Sequence, residues 1–229
     1  TINHSLNDDG LLEIELDRQA RMNALNGDMM DEIVHLLENV DVDEVRAVTF
    51  EGAGDRAFCA GADAMSMASS ANPIDGVELS RKGQETWGKL EDASVPVVAA
   101  IDGYALGGGM ELATCADLRI ATERSEFGQP EFNLGLLPGW GGTQRLSNLI
   151  GESLAKQIIF TGDRFEAEQM KEWGFVNELT TKDEFEDAAV ELAADMAAGP
   201  PLAMEYTKKA MHAGRDDIDG GLETEAFAF

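Results

Sequence analysis

The run VPVVAAI at residues 95 to 101 carries no charged or hydrogen-bonding side chain and is short enough for a strand. A strand that is apolar on both faces belongs inside a parallel sheet covered by helices, which is the tightest constraint this chain places on its own fold. Neighbouring segments fit the same frame. LLEIEL (11 to 16) alternates apolar and acidic residues, as a strand with one wet face does, and VRAVTF (45 to 50) and LRIAT (118 to 122) read as further strands. DMMDEIVHLLENV (28 to 40) has helical apolar spacing after a start signal at Asn26 and Gly27, and further helices fall near 76 to 92 and 108 to 116. Strands alternating with helices give an α/β architecture with largely parallel pairing.

Beyond about Gly151 the strand signals fade. ESLAKQIIF, EAEQMKEW, EFEDAAVELAADMA and PLAMEYTKKAMH read as successive helices, broken at Pro200 and Pro201, with one short β-segment at GFVNEL. The expected organisation is an α/β core over 1–150 and a helical section over 151–229. With 229 residues and 44% hydrophobic content, one domain can bury a proper core. No internal repeat is read from the residues.

The formal charge of −27, from 44 Asp+Glu against 17 Lys+Arg, repels phosphate polymers and anionic lipid surfaces, which argues against nucleic-acid and membrane partners. The acidity is dispersed along the chain and resembles that of proteins from salt-loving organisms, where salt screens the self-repulsion. The polar start TINHSLNDDG and the lack of a long apolar run lead to the expectation of a cytoplasmic protein. Cys59 and Cys115 lack CxxC spacing and read as reduced core residues. His4, His35 and His212 are scattered and form no metal-ligand cluster, so no metal is expected.

Three glycine-rich segments carry the chemistry: FCAGAD (58 to 63), GYALGGGMELATCAD (103 to 117) and FGQPEFNLGLLPGWGGTQRL (127 to 146). Glycine lets a ligand approach the main chain, and a helix starting there aims unpaired N–H groups at it. Tight turns in a packed fold are the plainer reading of any one segment. Neither GxGxxG after a strand nor GxxxxGK[ST] is present, so nucleotide loops are not supported. Glu111 follows three glycines and opens an apolar helix; Glu131 sits among aromatic and glycine residues. Most glutamates in so acidic a chain are solvated, but two partly desolvated carboxylates converging on one water make an apparatus for proton transfer.

Taken in order with LDRQARMNALN (16 to 26) and FTGDR (160 to 164), these segments resemble the crotonase, or enoyl-CoA hydratase/isomerase, superfamily from about residue 11 to 213. The resemblance implies a spiral of repeated ββα units with a helical C-terminal trimerisation section, and a homotrimer or dimer of trimers. It implies an acyl-CoA thioester substrate, coenzyme A being part of that substrate and no separate cofactor being needed. By the same resemblance the N–H groups of Ala62 and Gly108 match the oxyanion hole, a device commonly worth roughly 3 kcal/mol per donor. Glu111 matches the group that activates water for attack at Cβ, and Glu131 the group that delivers a proton to Cα. Ala60, Ala62, Asp63, Ala64, Met65 and Gly108 match the stretch along the CoA moiety. Arg21 stands one residue from the position of a phosphate-binding lysine in relatives, and Arg18 also has a structural reading.

Trp140 stands where relatives often carry alanine. It either narrows the acyl pocket or packs against Leu136 and Leu137. Met65, Met67 and Trp87 either line that pocket or belong to the core. Asp102 replaces the family's usual asparagine and reads as acidic drift. Two glutamates favour a hydratase; the alternatives are a Δ3–Δ2 enoyl-CoA isomerase and a non-catalytic acyl-CoA-binding relative. The chain lacks an initiator methionine and stops at GLETEAFAF, inside an apolar helix pattern, where family members continue, so a truncated end is expected. From the charge alone, the melting temperature is expected to rise with KCl concentration; a calorimetric series in which it does not move would overturn the salt-adaptation reading.

Overall fold

The computed structural model describes residues 1–39, 44–63 and 73–229. Two sheets organise it. Strands β1 (Ile2–Leu6), β2 (Leu11–Leu16), β3 (Ala47–Gly52), β5 (Val97–Ile101), β7 (Leu118–Thr122) and β10 (Glu178–Thr180) form a six-stranded sheet in the order 1-2-3-5-7-10. Strands β4 (Ala57–Cys59), β6 (Tyr104–Leu106), β8 (Glu126–Gly128) and β9 (Phe165–Glu166) form a second, in the order 4-6-8-9. Among the described residues only β1 with β2 and β8 with β9 pair antiparallel; every other pairing is parallel.

The helices are α1 (Gly27–Asn39), α2 (Pro73–Glu91), α3 (Gly108–Cys115), α4 (Gly142–Ile150), α5 (Glu152–Thr161), α6 (Ala167–Glu172), α7 (Phe185–Ala198), α8 (Pro201–Ala213) and α9 (Ile218–Ala228). Three times the chain runs a strand of the large sheet, a strand of the small sheet and then a helical segment: β3–β4–α2, β5–β6–α3, and β7–β8 followed by a 3₁₀ turn (Pro130–Leu134) and α4. This is the expected ββα spiral, and it corrects the absence of a repeat in the residue pattern. The missing halves, β4, β6 and β8, are three residues each, too short to show a period of two. Strands β9 and β10 bring residues beyond 151 into both sheets.

The strand at the start of the argument behaves as its composition requires. Strand β5 alternates its faces: Val97, Ala99 and Ile101 join the main core, whereas Val98 and Ala100 pack with Leu11, Ala47 and Ile120 beneath α7. Helix α7 covers that face with Phe185, Ala189, Ala193 and Ala197, a stripe at four-residue spacing. Asn26 caps α1, its Oδ1 accepting the Met29 N–H at 3.0 Å, and Pro201 opens α8 at the position where a missing N–H does no harm. Cys59 and Cys115 are free and buried, and burial pushes both thiols up to about 12.

Asp102, just past β5, is no drift. It accepts hydrogen bonds from Arg124 Nε at 2.7 Å and Nη2 at 2.5 Å, from Lys182 Nζ at 2.5 Å and from Thr122 Oγ1 at 2.8 Å, and so ties together the ends of β5, β7 and β10. Burial opposes its charge, but these donors hold its carboxyl below the ordinary value. Asp102→Asn is expected to destabilise the fold by about 1 kcal/mol near neutral pH, since it removes the charge that half-exposed Arg124 and Lys182 share. Because the folded-state pKa is depressed, the loss should shrink as pH falls through it; a pH-independent difference in urea midpoints would contradict this.

Candidate active site

Helix α3 begins at a turn only glycine can make. Gly107 has φ of +52°, and a Cβ there would stand 2.9 Å from Glu131 Oε1. Gly108 is the first helical residue, so its N–H has no acceptor within the helix. A Cβ on Gly108 would lie 3.3 Å from the Ala62 nitrogen and 2.4 Å from Cζ3 of Trp140. Two N–H groups predicted to act together, those of Ala62 and Gly108, are therefore adjacent, with an indole ring packed directly against them. At the far end of α3, buried Arg119 donates to Ala116 O at 2.7 Å and Phe175 O at 2.6 Å, closing the helix on its carbonyl side.

Glu111, in the first turn of α3, is only 2% exposed. Its Oε1 accepts the Trp140 N–H at 2.8 Å and the Gly142 N–H at 2.9 Å, which draws the PGWGG turn across the helix. Among the described residues Oε2 accepts none. Burial raises the proton affinity of Glu111, while the two N–H groups and the charge of Arg145 oppose that rise. Glu131, half-buried in the 3₁₀ turn, is pushed up to about 7, first by burial and further by the charge of Glu111, against its own backbone N–H.

Gln129, fully buried, was not singled out from sequence. In the amide orientation that satisfies both of its ends, it donates to Glu131 Oε1 at 3.2 Å and Oε2 at 3.1 Å. A Cβ on Gly142 would meet the other end of the Gln129 amide, Glu111 Cγ and Glu111 Oε1, each at 3.0 Å, so the amide links the surroundings of the two carboxylates. Its place two residues before Glu131 was the available signal, but a buried amide leaves no mark in an apolar pattern.

Other predicted positions divide. Arg18 pairs with Asp63 at 2.7 Å and holds the Ala24 carbonyl, so its structural reading is the one observed. The N–H groups of Ala60 and Asp63 donate to Met22 O at 2.9 Å and Leu25 O at 2.8 Å, which pins this segment beside the 3₁₀ helix Gln19–Arg21 that carries exposed Arg21. Ala64, Met65 and Met67 lie outside the described residues. Trp87 is fully buried core. Trp140, 5% exposed, packs edge-on to Trp87 with centroids 6.0 Å apart and against Gly83 of α2, whereas Leu136 and Leu137 are exposed; packing within its own turn is not what holds it. Among the described residues no cluster of three or more His, Cys, Asp or Glu could hold a metal ion, and no helix is long and apolar enough to cross a membrane.

A sequence profile described as Enoyl-CoA hydratase/isomerase matches residues 7–224. The chain belongs to this family. It is 40% identical over 218 residues to the short-chain-enoyl-CoA hydratase of Clostridium acetobutylicum, covering 94% of this chain and 83% of that protein. It is 38% identical over 221 residues to the crotonyl-CoA hydratase of Syntrophomonas wolfei, covering 96% and 85%. The crystal structure of enoyl-CoA hydratase from Bacillus anthracis superposes with a TM-score of 0.94 at 36% identity, covering 99% of this chain and 88% of that one.

In this member of the enoyl-CoA hydratase/isomerase family, the raised carboxyl of Glu131 has a thermodynamic consequence. With a folded-state value of about 7 against an ordinary 4.5, Glu131 binds its proton more tightly in the folded chain, so its contribution to stability falls as pH rises through that window. Glu131→Gln is expected to raise stability at pH 8 by about 1–3 kcal/mol relative to its effect at pH 4. Equal effects at both pH values in chemical denaturation would refute the raised value.

Proposed function

We propose that the chain is an enoyl-CoA hydratase that reversibly adds water to a trans-2-enoyl-CoA, giving the 3-hydroxyacyl-CoA. The observation that carries this reading is the pair of unequal carboxylates. Glu111 has one oxygen fixed by two N–H groups and the other without a donor among the described residues, while Glu131 holds a proton up to about neutral pH. That is a base and an acid with different environments beside one another, which is what adding H and OH across a double bond requires.

In this mechanism the Ala62 and Gly108 N–H groups receive the thioester oxygen. Glu111 draws a proton from water as the water oxygen bonds to Cβ. The electron pair of the double bond moves to an enolate on the thioester, stabilised by the two N–H dipoles and the start of α3. Glu131 gives its proton to Cα, and the carbonyl re-forms. The two proton transfers titrate as a pair. No metal or redox cofactor enters these steps.

The CoA moiety is proposed to lie along Ala60–Asp63 and the Ala64–Met65 stretch beyond it, near Arg21, with Trp140 at the acyl end. The reading extends to fatty-acid or related acyl-CoA degradation in a cytoplasm of high salt, supported by the buried free thiols and the charge of −27. It also includes a homotrimer or dimer of trimers, supported by exposed Leu202, Met211, Ile218, Leu222 and Phe227 on α8 and α9.

Glu111→Gln and Glu131→Gln are each expected to lower kcat/KM for crotonyl-CoA by about 10²–10⁴-fold while the circular dichroism spectrum stays unchanged. Loss of the conjugated enoyl absorbance reports hydration. Near-normal turnover in both variants, or formation of that absorbance from a 3-enoyl-CoA with no hydration, would overturn the assignment.

A further inference from the structure

The turn that holds Glu111 is itself held. The Arg145 guanidinium, on α4, donates from Nη1 to Trp140 O at 2.9 Å, and lies so close beneath the turn that a Cβ on Gly141 would stand 2.0 Å from that nitrogen. Arg145 N–H donates to Gly141 O at 2.9 Å, so backbone and side chain of one residue fix both sides of the turn. Its Nε pairs at 2.6 Å with Glu91 Oε2, at the end of α2, and Arg215, between α8 and α9, pairs through Nη1 with the other Glu91 oxygen. Arg145 and Glu91 side chains are 14% and 13% exposed, so this ion pair is poorly screened by solvent.

We propose that Arg145 is a positioning residue for Glu111, clamping the Trp140–Gly142 turn around its carboxylate, and that Glu91 and Arg215 extend this clamp to the connection between α8 and α9. The proposal rests on the reading of Glu111 as the group that activates water. Every link from Arg215 to Glu111 is a single contact: Arg215 to Glu91, Glu91 to Arg145, Arg145 to the Trp140 carbonyl, and the Trp140 N–H to Glu111. The C-terminal helical hairpin is thereby wired to the acid/base pair rather than merely packed near it.

The clamp acts on position and on charge. The ionisable groups around Glu111 are Glu131 from the 3₁₀ turn, Arg145 from α4, Glu91 from α2, Arg215 and His212 beyond it, Cys115 on its own helix and Cys59 on β4. Both thiols stay neutral, pushed up to about 12. Arg145 is the cation whose field lowers the proton affinity of Glu111, and Glu111 in turn raises that of Glu131. Neutralising Arg145 therefore raises the pH at which Glu111 becomes a base. Neutralising Arg215 leaves Glu91 to cancel more of the Arg145 charge, which acts in the same direction and more weakly.

The test is the pH dependence of kcat/KM for crotonyl-CoA hydration in the full chain and in Arg145→Gln, Arg145→Lys and Arg215→Gln. In Arg145→Gln the acidic limb is expected to move up by roughly half to one pH unit. Arg145→Lys keeps the charge but loses the planar fork, so its limb stays in place while kcat falls. Arg215→Gln shifts the limb upward by less, with KM changed less than about twofold. A merely structural role would scale the whole profile without moving its limb. An unmoved limb in Arg145→Gln overturns the proposal, and if that variant does not fold, an unmoved limb in Arg215→Gln does so. Glu111→Gln separates the two ideas. If it remains active, the reading of Glu111 fails; if it is inactive while the limbs stay fixed, only the clamp fails.

Discussion

A carboxylate removed from water has to find donors, and at Glu111 that requirement organises the site. The donors are main-chain N–H groups of Trp140 and Gly142, 29 and 31 residues further along the chain, so a glycine-rich turn must cross the start of α3. Once it crosses, little else is free to vary. Gly107 must stay small to admit Glu131, Gly108 must stay small to admit the Trp140 ring, and Arg145 closes the turn from below. The glycines that looked like punctuation in the sequence are the spaces into which these groups fit.

The spiral supplies the rest. Each ββα turn adds one strand to each sheet, and because β4, β6 and β8 run parallel the chain leaves the small sheet at the same end of its strands each time. Two successive departures, after β6 and after β8, therefore deliver Glu111 and Glu131 side by side. The cost is a pair of carboxyls held where both resist ionisation, offset by the doubly buried large sheet and by ties such as Asp102.

Much of this was legible from residues alone. β2 and β7 match the sequence expectation to the residue, α3 and α7 match within one residue at each end, and α2 begins three residues earlier than expected, because long apolar patterns respond to burial. The three-residue strands of the small sheet were not legible as strands, since each is too short to show a period of two and lies in or beside a glycine-rich segment. Glu111 and Glu131 stood out through their apolar and glycine surroundings. Gln129 and Arg145 did not, and Asp102 showed only as a departure from the family's asparagine, because a polar side chain acts through partners distant in sequence and its own neighbours say nothing of them. The partners of Asp102 lie 20, 22 and 80 positions away.

The indole of Trp140 also dictates what two distant positions can be. A side chain at position 83 would stand 2.1 Å from its Cδ1, and one at position 108 would stand 2.4 Å from its Cζ3. Positions 83 and 108 lie on different helices, yet both have to be glycine while the ring is in place. The three residues therefore behave as one unit of exchange: a larger side chain at 83 is admissible only together with a smaller one at 140.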